Sequence, residues 1–180
     1  MSDLQVLLDR NQKFSAQYEA GLQGMPKLTT FVLTCSDART DPAHFLGLDL
    51  GDALVFRNAG ARITADIELE LGILWTMAAQ MMGSNFQGFS LVIIQHTDCG
   101  LERLANPDMA AALSNRLNIE PSQIKAMANA DHAQRLHEDV EHLRQSSIVP
   151  KNLVVSGHIY NINDGSIQEV IAPTALAASE

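Results

Sequence analysis

Three shortages in this chain each remove a class of function. Basic residues are few: 12 Lys and Arg stand against 21 Asp and Glu, a net charge of −9. No Lys/Arg cluster supplies the basic face that nucleic-acid binding needs. No stretch approaches the ~20 uninterrupted apolar residues that span a bilayer. Residues 1–24 are polar and amphipathic, not a basic end followed by an apolar core, so they do not read as a secretory signal. Only two cysteines are present, Cys35 and Cys99, and they lack the C-x-x-C spacing of thiol redox motifs. The expected setting is therefore the cytoplasm, where thiols stay reduced and serve metal binding or catalysis more often than bridging. Repeats, low-complexity blocks and domain linkers are also missing.

What remains is an ordinary globular composition, 46% hydrophobic and 18% charged over 180 residues. That length suffices for one domain with a core that needs no staples. We read residues 1–180 as a single domain with an N-terminal helical arm over 1–24 and a loose tail over 173–180. Residues 3–20 place Leu4, Leu7, Leu8, Phe14 and Tyr18 near one helical stripe. Strands are expected over 28–34, 54–56, 89–95, 153–160 and 167–171, each β-branched or aromatic. Asn163-Asp164-Gly165 is a hairpin signal that turns the last strand antiparallel. Asp41-Pro42 opens a helix, and Thr64 or Asp66 caps a long one through about Met82. Further helical segments fall at 101–105, 108–117 and 121–145. Strand and helix alternate, which predicts an α/β fold: a mostly parallel central sheet flanked by helices, with an antiparallel last strand.

Ligands of open parallel sheets bind beyond the carboxyl ends of the strands. Cys35 follows the first strand and His96 the third, so Cys35-Ser36-Asp37-Ala38-Arg39 and His96-Thr97-Asp98-Cys99-Gly100 are expected on one functional edge. Cys35, His96 and Cys99 are soft or borderline ligands of the kind zinc takes. Three protein ligands with an open fourth position mark a catalytic site, four a structural one, and no third cysteine is present to close the shell. A zinc-bound water ionises near pH ~7 instead of ~15.7. Asp37, two residues from a ligand, is placed to accept a hydrogen bond from it, and Arg39 to hold Asp37 ionised in a bidentate pair. Asp37 is also close enough to become the fourth metal ligand and block the site, with Arg39 competing for the carboxylate. A lone strand-end cysteine is commonly just a core residue; the full constellation favours ligation here.

Other groups read more blandly. Arg57-Asn58-Ala59-Gly60 braces the site and shapes a turn, and Asp98 caps a loop. His132, His137 and His142 belong to a solvated helix face. Trp75, Met77, Met81 and Met82 are core or interface. His44 and His158 are candidate proton shuttles.

Cys-x-Asp-x-Arg, Arg-Asn-Ala-Gly and His-x-x-Cys-Gly, in that order and on those strand ends, resemble the β-class carbonic anhydrases, over roughly residues 28–171. The resemblance is to compact members and implies Cys35, His96 and Cys99 as zinc ligands, one ion per chain. It implies Asp37 and Arg39 as the catalytic dyad. It further implies reversible hydration of carbon dioxide to bicarbonate, and a homodimer, or a tetramer built from it, whose N-terminal helix packs on a partner subunit. The chain departs from the pattern at Gly24-Met25-Pro26-Lys27, where many relatives carry a Gln, and in a longer separation of Cys35 from His96 than compact members have. Val32 stands where relatives with an inhibitory bicarbonate site carry Trp, so no such site is expected. Two rival readings are a COS or CS2 hydrolase on the same scaffold and a non-catalytic zinc-binding regulatory module.

Overall fold

The computed structural model of the chain describes residues 2–177. Its strands are β1 (Thr30–Cys35), β2 (Leu54–Asn58), β3 (Ser90–His96), β4 (Val154–Tyr160) and β5 (Ile167–Ala175). They form one sheet in the order β2-β1-β3-β4-β5. β1 to β4 run parallel and β5 returns antiparallel, as the alternation predicts. The helices are α1 (Asp3–Ser15), α2 (Pro42–Phe45), α3 (Ala65–Met82), α4 (Pro107–Leu117), α5 (Pro121–Met127) and α6 (His132–Gln145). None of the described helices is long and apolar enough to cross a membrane.

Side chains alternate across a strand, and β1 and β3 use both faces. Phe31, Leu33, Leu91 and Ile93 are fully buried on one face. They meet Ile67, Leu71 and Trp75 of α3 and Leu136, Val140 and Leu143 of α6. Each such Leu or Ile contributes ~1.5–3 kcal/mol by leaving water. On the other face Phe45 of α2 stacks on Tyr160 of β4, centroids 4.5 Å apart. Of the residues read as core or interface, Trp75 is buried while Met77 and Met81 are exposed.

Boundaries differ from expectation where tertiary contacts decide them. β1 starts at Thr30 because Thr29 sits at φ +45 and its N–H turns back to Pro26 O. The helix expected over 121–145 is two helices. Asp131 caps the second by accepting from Gln134 N, and the intervening Asn129 is fully buried in a polar network. The tail is not loose from 173. β5 continues to Ala175 past a register shift near Pro173, a residue that strands tolerate at bulges. Leu176 is buried, with its N–H bonded to Leu153 O. The rest of the expected tail, 178–180, lies outside the described residues. α1 ends at Ser15 instead of running to 20, and it buries no residue within the chain.

β1 and β3 are neighbours at the centre of the sheet, in register through Thr34 and Ile94. The first residues beyond that pair are the ends of the two strands, Cys35 and the Gln95-His96 dipeptide.

Candidate active site

Cys35, His96 and Cys99 converge at this edge. Their ligand atoms lie within 4.8 Å of one another, and all three residues are buried. His96 Nδ1 faces Thr97 O at 3.0 Å. A proton on Nδ1 leaves the Nε2 lone pair free, and Nε2 is buried with no hydrogen-bond partner. An orphaned buried nitrogen is costly unless something takes its lone pair, and beside two sulfurs that something is a soft or borderline cation. The donor set therefore fits zinc: two thiol sulfurs and an imidazole nitrogen.

The electrostatics point the same way. Cys35 is held well below an ordinary thiol, first by the Cys99 thiol that donates to it, against burial, then by His96 and by the Asp37 and Gly60 backbone. Cys99 is pushed up because it gives its hydrogen to Cys35 and is buried. For His96, burial opposes the charged form, yet the Cys35 sulfur beside it wins and its pKa is raised. The three crowd protons into a space that a dication would fill on displacing them.

Asp37 stands just past β1. Its Oδ1 accepts from Arg39 N at 2.9 Å and Arg39 Nε at 3.0 Å, and its Oδ2 accepts from Arg39 Nη2 at 2.8 Å. These Arg39 contacts hold the carboxyl well below the usual range. Asp37 is not a member of the 4.8 Å cluster; its oxygens are turned to Arg39. The same guanidinium reaches the other ligand loop, donating to Asp98 Oδ2 at 2.8 Å and Asp98 O at 3.0 Å. Asp98, at φ +55, is thus more than a loop cap: it ties the Arg39 loop to the His96–Cys99 loop.

Arg57 braces the site as expected. Its Nε donates to Cys35 O at 3.0 Å and its Nη2 to Asp37 O at 2.7 Å. The Thr40 hydroxyl donates to the same two carbonyls. Asn58 closes the following turn through Arg62 N and O, which aims Gly60 N–H at Cys35 Sγ, 3.3 Å away. Arg62 then pairs with the buried Asp139 of α6, Nε to Oδ2 2.8 Å. Burial raises the Asp139 pKa against the pull of Arg62.

A cavity of ≈ 230 Å³ beside this turn is lined by Ala59, Ile63, Leu101, Ala126 and Met127 together with Arg62 and Thr64. Neither this cavity nor the larger ones, of ≈ 540 and ≈ 560 Å³, is lined by either cysteine or by His96. Of the candidate shuttles, His44 is exposed on α2. His158 lies part-buried on β4 with Nε2 3.0 Å from Ser156 Oγ.

The solvated reading of the α6 histidines holds for His137, which is exposed. His142 is also exposed but pairs with Glu68 at 2.9 Å. For His132 the reading is corrected: its side chain is only 11% exposed and its Nε2 meets Glu102 Oε1 at 2.9 Å. Glu102 in turn accepts from Cys99 N at 2.9 Å. The Cys99-to-Glu102 spacing is that of a capping box, a signal that was legible; nothing local marks His132, Arg62 or Asp139.

Residues 30–167 match the family model described as carbonic anhydrase. Curated relatives include beta-carbonic anhydrase 1 of Mycobacterium tuberculosis, 24% identical over 163 residues covering 91% of this chain and 94% of that protein. Another is a carbon disulfide hydrolase of Acidithiobacillus thiooxidans, 26% identical over 178 residues covering 88% and 84%. Among solved structures, a carbonic anhydrase from Streptococcus mutans superposes with TM-score 0.77 at 31% identity, covering 94% of this chain and 98% of that one.

Proposed function

The chain belongs to the β-carbonic anhydrase family, and on that premise we propose that it hydrates carbon dioxide reversibly to bicarbonate at one zinc ion per chain held by Cys35, His96 and Cys99. The observation that carries this reading is the buried triad with its unpartnered His96 Nε2. Zinc bound there supplies the Lewis acidity that makes water a nucleophile near neutral pH.

The chain's own residues orient that nucleophile. A carboxylate has about four acceptor positions. Arg39 fills both on Asp37 Oδ1 and one on Oδ2. One position on Oδ2 remains, and there Asp37 accepts the hydrogen of the attacking water, turning its lone pair toward the carbon. Arg39 keeps Asp37 ionised and turned away from Cys35, His96 and Cys99; without Arg39, Asp37 would be free to join the three as a further ligand and close the site. A cytoplasmic homodimer is part of the proposal. Its support is the stripe of Leu4, Leu7, Leu8 and Phe14, each at least 50% exposed on a helix that buries no residue within its own chain.

Carbon disulfide hydrolases among the relatives keep CS2, and by chemical analogy COS, as rival substrates; the 31% identity to the Streptococcus mutans enzyme favours carbon dioxide. The intact Asp37–Arg39 pair argues against a non-catalytic zinc module. The test is stopped-flow turnover of the three gases over pH 6.5–9, with metal analysis, for wild type, Asp37→Ala and Arg39→Ala. Expected are one zinc per chain, carbon dioxide as the preferred gas, and a loss of ~10²-fold or more in both variants. Variants as fast as wild type would sink the dyad's role, and a zinc-loaded wild type inert on all three gases would sink the enzyme reading.

A further inference from the structure

The loop that carries Cys99 is held from behind by a part-buried polar strut. Cys99 N–H donates to Glu102 Oε1 at 2.9 Å. The same oxygen is 2.9 Å from His132 Nε2. The other ring nitrogen, Nδ1, is 3.1 Å from Oε1 of Gln95, the residue before His96. One imidazole therefore bridges the chain on both sides of the ligand loop. Asn129 completes the frame, through its side chain to Gln95 Oε1 at 3.1 Å and its N–H to Leu101 O at 3.2 Å. Gln95 and Asn129 are fully buried.

We propose that His132 is a positioning residue of the metal centre, acting through Glu102 on the backbone of Cys99. The proposal rests on Cys35, His96 and Cys99 being the metal ligands. His132 is the first residue of α6, just after the Asp131 cap, so its backbone is set by the helix start. Its ring is aimed by two contacts, leaving Glu102 one favoured position. Glu102 then directs the Cys99 N–H, and with it the plane from which Sγ projects. Ligand geometry tolerates errors of only ~0.5 Å, which is why groups behind the ligands matter.

The strut is kept in either orientation of the Gln95 and Asn129 amides. Gln95 Nε2 and Asn129 Oδ1 are buried without partners. Turning both amides over exchanges donor and acceptor at each contact and keeps all of them. His132 then accepts at Nδ1 from Gln95 and still donates at Nε2 to Glu102.

The test uses full-length zinc-loaded protein: wild type, His132→Ala, His132→Gln, Glu102→Ala and the His132→Ala/Glu102→Ala double variant. The readouts are the rate of zinc transfer to a chromogenic chelator, the thiolate-to-metal charge-transfer band after cobalt substitution, and the melting temperature. Zinc release from His132→Ala and Glu102→Ala is expected to be ~10–100-fold faster than from wild type, with a shifted cobalt band. The double variant should be no faster than Glu102→Ala, because both act along one path. His132→Gln, whose amide reaches Glu102, should recover most of the loss. A His132→Ala variant with lowered melting temperature but wild-type zinc release and cobalt band overturns the proposal, as do fully additive effects. If His132→Ala does not fold, Glu102→Ala and His132→Gln carry the same comparison, and unchanged release from Glu102→Ala overturns it. Wild type that binds no zinc, or a Cys35→Ser variant that keeps it as tightly, brings down the ligand assignment itself, a different result from a firm wild-type site indifferent to His132.

Discussion

Replacing Gly60 by alanine probes how closely the 59–63 turn is fitted to the ligand loop. Gly60 has φ +83, and a methyl group added there lies 2.9 Å from Leu101 Cδ1 and 3.5 Å from Arg62 Cγ. The left-handed backbone alone costs an alanine about 1–2 kcal/mol. Leu101 must also swing aside, and an off-rotamer side chain costs about 0.5–1.5 kcal/mol. Together the variant should lose about 1.5–3.5 kcal/mol. Gly165 is the control: its φ is +76 and nothing lies within 4 Å of an added methyl, so Gly165→Ala should show the backbone part only. The assay is urea unfolding by circular dichroism at fixed excess zinc. On a Leu101→Ala background, Gly60→Ala should fall to the Gly165→Ala value. The variant should also shed zinc faster than wild type, because Gly60 N–H donates to Cys35 Sγ at 3.3 Å. Equal losses at Gly60 and Gly165, or no recovery on the Leu101→Ala background, refute the fitted-turn argument.

Three further expectations follow from the packing and charges. Leu33→Ala, at a fully buried position, should lower unfolding free energy by about 2–5 kcal/mol, whereas Leu50→Ala, 57% exposed, should change it by less than about 0.5 kcal/mol in the same titration. Arg62→Ala leaves the Asp139 carboxylate, 3% exposed, buried beside no cation. It should cost about 3–5 kcal/mol, and Asp139→Asn on that background should return part of it; no return means the carboxylate is not the strained group. Burial holds the His158 pKa below 6.5, with Glu169 opposing. The unfolded chain takes up that proton first, so the contribution is full above pH 6.5 and is lost as pH falls through the depressed folded value. His158→Asn should flatten the stability difference between pH 8 and pH 5.5 relative to wild type, and an unchanged slope excludes His158 as a source of it.

The sheet, its direction of winding and both ligand motifs were legible from local pattern. Runs such as 89–95 are too apolar and β-branched to be anything but buried strands, and a helix between parallel strands leaves little topological freedom. Placing Cys35 and His96 at adjacent strand ends needed only that rule. The Asp37–Arg39 pair was equally readable, being two residues apart on one loop.

What local pattern could not carry was any contact across the fold. Asp98 reads as a capping residue until Arg39, 59 positions earlier, is seen to hold it. His132 sits in a run that looks solvated, and only packing of the α6 start against β3 and the Cys99 loop buries it. Pro173 marks the end of a strand in one dimension, yet the irregular pairing with β4 absorbs it and the strand continues. The sequence by itself determined which residues make up the candidate site, because the proposed metal ligands and orienting carboxylate are particular residue types at short spacing. Only the tertiary structure decided how rigidly that site is held, because the supporting hydrogen bonds join groups whose separation along the chain carries no signal.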